Sequence, residues 1–455
     1  MYESEAVIVR VEFSVVVHYR STDYLYIGEY FMTDFVIKGH ICYSETKTEI
    51  RIVENGYLVC VAGESKGVYR ELPEEYKALP LKDYGNRLII PGMVDLHIHA
   101  PQFGYRGMRM DLELMDWLTQ YTFPEEEKYE DLVYAKKAYS LFAEEMKKSA
   151  TSRAVIFATR HKEATGLLMD IMEETGLVTH VGKVNMDRGA TEKLNEESAG
   201  VAAADTREWI EKSKGKYERT EAILTPRFIP SCTDELMEKL GEIQREYHMP
   251  LQSHLSESPG EIAVVKELRP QDEFYAQGYE KYGLFGSNGK TIMAHCVWCS
   301  EEERALMEKN GVYVAHCPAS NTNIASGIAP IREFLTQGIR VGLGSDVAGG
   351  HSHSMFRALT DTVQASKMYW RYVNQESKPI IFEEAFFMAT KGGGEYFGKV
   401  GSFEEGYEFD AIVLDEASAP FVQDLNVMQR LERAVYLLLD TNGIHAKYVR
   451  GTQLI

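Results

Sequence analysis

From residue 91 onward, short apolar runs alternate with longer segments whose apolar residues recur at helical spacing. Such alternation predicts βα units whose strands form a parallel sheet. Eight βα units in succession are typical of a TIM-type (β/α)8 barrel, whose active site lies at the carboxyl ends of the strands. The eight candidate strands are residues 93–96, 154–158, 180–184, 222–225, 250–253, 291–294, 312–315 and 340–344.

The segments between and after these runs are expected to form helices. Their apolar residues recur every three or four positions, as on the buried face of an amphipathic helix. The predicted helices are residues 126–148, 161–175, 192–214, 233–247, 260–268, 300–309, 328–337, 354–372 and 382–397.

The residue pattern at both ends of the chain differs from that of the βα units. Residues 1–90 show no helical period, and the runs 7–17, 24–35 and 50–61 are rich in Val, Ile, Tyr and Phe, which favours strands. Residues 71–81 are charged and predict a surface excursion, while residues 411–415 and 448–455 again predict strands. We therefore expect an α/β protein in which residues 1–90 and 399–455 form a smaller, discontinuous β-sandwich domain. Residues 91–398 form the barrel domain between them.

Charge and composition exclude several classes of partner. A formal net charge of −20 over 455 residues repels nucleic-acid backbones and anionic membranes. The N-terminus lacks the features of a signal peptide, and no apolar run is long enough to cross a bilayer. Six cysteines in a chain of this length predict isolated buried thiols rather than a disulfide framework. We expect a cytoplasmic protein that binds a small molecule.

Polar residues follow the candidate strands where they end. His97 and His99 close the first strand, and residues two apart in a strand point to the same face. His254 follows the fifth strand, His295 the sixth and Asp346 the eighth. In a closed barrel these five side chains converge on one mouth, and imidazole and carboxylate groups are ligands for zinc or iron. A single histidine in such a place would more often be structural, but five coincidences predict a metal site.

Other acidic and histidine residues near the strand ends have weaker claims. Glu257, three residues past His254, is the best candidate for general acid and base catalysis beside a metal. His316 follows the seventh strand and is expected to be structural, while His351 and His353 could line the mouth. The remaining histidines have no comparable placement: His18, His40, His161, His180, His248 and His445.

The motifs and their order resemble the amidohydrolase superfamily and, within it, the guanine deaminase family. The resemblance covers essentially the whole chain. Its His and Asp motifs are specific for the superfamily. The stretches at residues 116–124 and 225–228 narrow the likeness to guanine deaminases. The stretches are PGMVDLHIHAPQ (91–102), DWLTQYTFP (116–124), VGKVNMD (181–187), TPRF (225–228), QSHLSE (252–257) and GSDVAGG (344–350).

The resemblance implies a hydrolase that converts guanine to xanthine and ammonia with a metal-activated water, and a homodimer. Members with two metals commonly place a bridging lysine at the end of the fourth strand. Here residues 224–227 contain none, and Lys183 is the nearest competitor. We expect one Zn²⁺ per chain, with Fe²⁺ as the alternative. Its expected ligands are His97, His99, His254 and Asp346.

The resemblance also assigns residues to the chemistry and to the substrate. Glu257, His295 and Asp346 are the expected catalytic residues, with His295 hydrogen-bonding the water or the developing oxyanion. The expected substrate-binding residues are Gln102, Arg227, Phe228 and His254. An arginine fork can donate to a carbonyl oxygen, and a glutamine can both donate to and accept from a purine edge. Without the resemblance, a surface salt bridge for Arg227 and core packing for Phe228 would rank first.

Two other readings stay open. The chain could be another aminohydrolase or a chlorohydrolase of the superfamily, acting on a pterin, triazine or adenosine-like substrate. It could also be a catalytically silent scaffold, although such relatives typically lose metal ligands that are all present here. A different zinc deaminase type carries His-x-Glu followed by Pro-Cys-x-x-Cys; His161-Lys162-Glu163 has only the first half.

Residues 150–153 depart from the Gly-Thr-Thr-Thr-type turn that many relatives have at this place. This segment precedes the second strand and lies away from the expected ligands.

Overall fold

A computed structural model describes residues 7–11, 14–18, 34–438 and 443–455. The predicted strand 7–17 is a hairpin of Val7–Val11 and Ser14–His18. The predicted strand 24–35 lies outside the described residues except for its last two positions.

Each of the eight predicted barrel runs contains a strand, and these strands pair in parallel. The third and fourth runs are each broken into two short strands, and a bridge between Leu224 and Leu251 connects the fourth run to the fifth. One four-stranded sheet has the order Thr220–Ala222, Val178–Gly182, Thr151–Phe157, Met93–His99. A second has the order Leu251–Leu255, Thr291–His295, Tyr313–His316, Arg340–Leu343, and a third pairs Val184–Asn185 with Thr225–Pro226.

Hydrogen bonds also join the end of the last run to the first strand. The backbone N–H of Asp346 donates to the carbonyl of His97 at 2.8 Å, and that of His99 donates to the carbonyl of Val347 at 3.1 Å. The carboxyl ends of the first and eighth runs are therefore adjacent, as the sequence predicts.

Helices follow the parallel strands, and their starts are set by capping side chains. The helix predicted from residue 192 begins at 199 because the Ser198 hydroxyl accepts from the N–H of Val201. The helix predicted over 382–397 ends at 387 and continues as a wider turn into three successive glycines. The longer helices are Leu132–Lys148, Lys162–Thr175, Ala199–Ser213, Asp234–Tyr247, Pro259–Leu268, Glu301–Asn310, Met355–Tyr372 and Val427–Leu437. The shorter ones are Leu114–Trp117, Phe123–Glu126, Gln277–Glu280, Pro318–Asn323, Ile331–Thr336 and Phe382–Phe387.

A mostly antiparallel seven-stranded sheet combines strands from both ends of the chain. The sequence did not predict three of its strands, 35–44, 64–69 and 81–91, because their polar and glycine positions interrupt the apolar alternation. The helix Val427–Leu437 was also missed. The strand order is Thr452–Gln453, Ile444–Val449, Ala411–Leu414, Leu81–Pro91, Phe35–Ser44, Ile50–Val61, Glu64–Tyr69.

A buried ion pair connects this sheet region to the parallel strands. The Arg153 guanidinium, at the start of the second parallel strand, donates to both carboxylate oxygens of Asp410 at 2.7 and 3.2 Å. It also donates to Glu408 at 2.9 Å. Residues 150–153, where the sequence departs from its relatives, thus lie at the opposite end of the strand from the histidines.

All six cysteines are free and buried, as the sequence predicts. Within the described ranges, no helix is both long enough and apolar enough to cross a membrane.

Replacing Asp410 should destabilise the protein strongly. Asp410→Asn leaves the buried Arg153 without its main counter-charge, and breaking a buried pair costs about 3–5 kcal/mol. Urea unfolding measures this change. Glu74→Gln, which removes an exposed pair with Lys77, is the control and should leave the midpoint unchanged. Equal midpoints for both variants would contradict the role of Asp410.

Candidate metal centre and active site

Four predicted metal ligands meet at the carboxyl ends of the parallel strands. Asp346 Oδ1 lies 3.0 Å from His97 Nε2 and 3.3 Å from His99 Nε2. His99 Nε2 lies 3.2 Å from His97 Nε2 and 3.3 Å from His254 Nε2. All four side chains are buried. The structure therefore brings together, around one point, residues that lie up to 249 positions apart (346 − 97).

The spacing of these atoms suits a divalent metal ion. Tetrahedral zinc, with bonds of about 2.1 Å, places its ligand atoms about 3.4 Å apart. Three imidazole nitrogens and one carboxylate oxygen supply a donor set that zinc and iron accept. Without a cation, the three Nε2 atoms and the carboxylate would be buried together with few proper hydrogen bonds. The residues therefore fit the metal that the sequence predicts.

Neighbouring groups hold the ligands in place. The carbonyl oxygen of Arg227 lies 2.6 Å from His254 Nδ1, so that Nδ1–H donates to it and Nε2 keeps its lone pair for a metal. Asp95 accepts from the backbone N–H of His97 at 3.1 Å and of Ser345 at 3.0 Å. The Phe157 ring packs against His97, His99 and His254 with ring centroids 4.6 to 4.9 Å apart, which keeps water from this side of the cluster.

The electrostatic environment favours neutral imidazoles beside an ionised carboxylate. Burial lowers the pKa of His97 and His254, and it lowers the pKa of His99 to about 4. Burial alone would raise the pKa of Asp346, but the adjacent His97 and His99 hold that pKa well below its usual range. Neutral imidazole and anionic carboxylate are the protonation states in which these groups bind metals.

His295 and Glu257 lie together next to this cluster. His295 Nε2 is 3.4 Å from Glu257 Oε2 and 3.7 Å from Asp346 Oδ2. The Glu257 carboxyl accepts from the Ser326 hydroxyl at 3.0 Å. Burial, followed by the nearby charge of Asp346, raises the pKa of Glu257, which favours its protonated form. A buried carboxyl that holds a proton beside a metal site is suited to general acid catalysis.

Asn321 supports His295, and the sequence reading missed it. Its amide oxygen lies 2.8 Å from His295 Nδ1, which fixes the ring orientation. Asn321 belongs to the short helix Pro318–Asn323 directly after the seventh strand, but one amide in a polar loop gives no sequence signal.

Three further histidines and one lysine near the strand ends lie outside the ligand cluster: His316, His351, His353 and Lys183. His316 is buried at the end of its strand, and burial lowers its pKa to about 3. His351 is exposed and contacts Asn323 at 3.1 Å, whereas His353 is buried with its ring 5.4 Å from that of Phe103. Lys183 pairs with Glu196 at 2.5 Å in a buried site, so its ammonium is already bound away from the metal ligands.

A pocket opens directly beside the cluster and contains the predicted substrate-binding residues. The space between its lining atoms amounts to about 370 Å³, which includes space open to solvent. Gln102, Arg227 and Phe228 line it together with His254. Apolar residues of the motif stretch around 116–124 form another wall, through Trp117 and Leu118 with the adjacent Leu114. A pocket with apolar walls and a few fixed polar groups is suited to an aromatic heterocycle.

Glu126 lies behind this polar wall and was not predicted from the sequence. Its carboxylate accepts from Arg227 Nη1 at 2.6 Å, from Arg227 Nη2 at 3.2 Å and from Gln102 Nε2 at 3.0 Å. It lies in a run of three glutamates at the start of a predicted helix, where the pattern is typical of solvated charge. Only the tertiary structure distinguishes it from its neighbours.

Comparisons with known proteins agree with this geometry. The amidohydrolase family model matches residues 88–452. A guanine deaminase of Dictyostelium discoideum is 37% identical over 82% of this chain and 83% of its own length, and one of Escherichia coli is 30% identical over 90% and 92%. The crystal structure of a C. acetobutylicum guanine deaminase with guanine bound in its active site superposes with a TM-score of 0.90. It is 43% identical and covers 93% of this chain and 100% of the other.

The chain belongs to the amidohydrolase family, which is metal-dependent, and has the family's TIM-barrel-type fold. Within that family it falls among the guanine deaminases, hydrolytic enzymes that remove an amino group. The resemblance stated from the sequence is therefore confirmed.

Metal content should depend on the ligand cluster and not on the neighbouring buried histidine. His99→Ala removes one of the four donors, and we expect the purified variant to lose most of its bound metal. His316→Gln changes an equally buried histidine at a strand end outside the cluster and should retain the metal of the unaltered protein. Elemental analysis of both proteins gives the metal per chain. Loss of metal from His316→Gln alone would reverse the assignment.

Proposed function

We propose that this site hydrolyses guanine to xanthine and ammonia. The observation that carries the proposal is that a His and Asp cluster fit for a metal borders a pocket whose polar lining includes Arg227 and Gln102. The guanine-bound relative, 43% identical over 93% of this chain, supports the choice of substrate.

One Zn²⁺ per chain is the proposed cofactor, with Fe²⁺ as the alternative. His97, His99, His254 and Asp346 would hold it, because His97, His99 and Asp346 have donor atoms 3.0 to 3.3 Å from one another and His254 Nε2 lies 3.3 Å from His99 Nε2. When bound, the metal would supply a water whose pKa is lowered to about 7. Lys183 is paired with Glu196, which supports a single metal rather than two bridged by a lysine.

Guanine recognition is proposed for the pocket residues beside the ligand cluster. Arg227 can donate to the purine carbonyl, and the Gln102 amide can both donate to and accept from a ring edge. Phe228 and Trp117 would bound the flat faces of the ring, since both line the pocket. His254 lies on the border of both regions, and its Nε2 faces the other ligands.

The proton transfers follow from the positions of Asp346, Glu257 and His295. Asp346 accepts a proton from the attacking water, and Glu257 gives its carboxyl proton to the ring nitrogen beside C2. Attack at C2 makes that carbon tetrahedral, with the water oxygen and the amino group both attached. Asp346 passes the proton it accepted to the amino group, the carbon–nitrogen bond breaks and ammonia leaves. The Glu257 carboxylate takes the remaining hydroxyl proton as the oxygen becomes the new carbonyl of xanthine, which restores both side chains to their starting states. His295 hydrogen-bonds the new oxygen substituent during these steps.

We further propose that the parallel strands form a closed (β/α)8 barrel over residues 91–398. Residues of the seven-stranded sheet, from 1–90 and 399–455, would form the smaller domain. A homodimer and a cytoplasmic location stay predictions, the first from the family resemblance and the second from the sequence.

A substrate panel tests the proposed reaction. With the metal quantified in the same preparation, we expect ammonia release from guanine to exceed release from a pterin, a triazine or adenosine by at least tenfold. Faster release from one of the others would favour that substrate instead. Absence of turnover with full metal occupancy would favour a silent scaffold.

Glu257→Gln should keep the metal and lose most of the turnover. Its amide cannot deliver a carboxyl proton, and general acid or base catalysis contributes about 10²–10⁴-fold. Ammonia release with guanine and elemental analysis measure both properties. Glu267→Gln, an exposed position on the following helix, is the matched control. Near-normal activity of Glu257→Gln would remove Glu257 from the mechanism.

A further inference from the structure

Glu126 faces inward, unlike the glutamates on either side of it. Its side chain is 1% exposed, at the end of the short helix Phe123–Glu126. Glu125 instead bonds Tyr134 and Lys128, and Glu127 lies 3.8 Å from the exposed Lys193. The Glu126 carboxylate does not line the pocket but lies directly behind two residues that do.

Glu126 and Arg227 form a buried, bidentate salt bridge. Nη1 and Nη2 of Arg227 donate to the two carboxylate oxygens, and both side chains are at most 3% exposed. The paired carboxylate also neutralises the guanidinium. Arg227 is further held by the Phe123 ring, 5.3 Å from its guanidinium carbon.

The same carboxylate fixes which way the Gln102 amide points. Gln102 Nε2 donates to Glu126 Oε1 at 3.0 Å, while Gln102 Oε1 accepts from the backbone N–H of Ala348 at 3.1 Å. An amide is nearly symmetric in shape, so only such partners decide which atom is the donor and which the acceptor. Turning the amide around would place its oxygen against the carboxylate and its NH₂ group against an N–H donor.

We propose that Glu126 is a positioning residue that sets both the charge and the hydrogen-bond polarity of the substrate wall. With Arg227 neutralised, the wall accepts an uncharged purine and does not favour an anionic one. With Gln102 fixed, one edge of the pocket has a single pattern of donor and acceptor. The product xanthine is more acidic than guanine, so a neutral wall also avoids holding the product as an anion. The proposal rests on the deamination of guanine proposed above.

Glu126→Gln tests the proposal, with Glu127→Gln as a control that removes the same charge one residue away. The new amide has a single oxygen and cannot accept from both Nη1 and Nη2 of Arg227. Arg227 is then less firmly positioned, so we expect the KM for guanine to rise about tenfold or more. The kcat should change less, because the proton-transfer groups are untouched. Urate, which is anionic at neutral pH, should inhibit Glu126→Gln about tenfold more strongly, since Arg227 is no longer neutralised. Glu127→Gln should match the unaltered enzyme in all three measurements.

Glu126→Asp separates charge from position. It keeps the carboxylate but shortens its reach by one methylene, so KM should still rise while inhibition by urate stays unchanged. If Glu126→Gln fails to fold, this variant decides alone, and an unchanged KM would overturn the proposal. Equal kinetics and equal urate inhibition for Glu126→Gln and Glu127→Gln would also overturn it. An unaltered enzyme that releases no ammonia from guanine would instead reject the proposed function itself.

Discussion

The cluster of three imidazole nitrogens and one carboxylate at the strand ends is the feature on which the rest of the site depends. Groups that are buried together without enough hydrogen-bond partners are costly, and a shared cation is the arrangement that compensates them. Neighbouring atoms of the cluster lie 3.0 to 3.3 Å apart, as ligands around one ion do. If the four side chains hold a metal as proposed, every contact that keeps them in place contributes to function as well as to the fold.

That register comes from the backbone of the parallel strands and their ends. Two hydrogen bonds connect the segment after the last strand to the first strand, and Asp95 accepts from the backbone N–H groups on both sides of that junction. The carbonyl of Arg227 orients His254, so a residue of the proposed substrate wall also positions a proposed metal ligand. The proposed metal site and the proposed substrate pocket are thus built from the same strand ends, and each constrains the other.

The substrate wall shows a second layer of support. Arg227 and Gln102 were predicted as the recognition residues, but their partner Glu126 was not. Asn321 stands in the same relation to His295. In both cases a polar side chain that does not line the pocket hydrogen-bonds a side chain that does. The supporting residue has no fixed distance in sequence from the residue it supports.

The sequence by itself determined the parallel strand pattern, the histidines and aspartate at the strand ends, and the family. Strand alternation and i, i+2 spacing are local properties, so His97, His99, His254, His295 and Asp346 could be named from the chain alone. It did not determine three strands of the seven-stranded sheet, whose polar and glycine positions hide the alternation. Nor could it distinguish Glu126 from Glu125 and Glu127. Only the tertiary structure decides which of three consecutive carboxylates is buried, because that depends on Arg227, which lies 101 residues away in the chain.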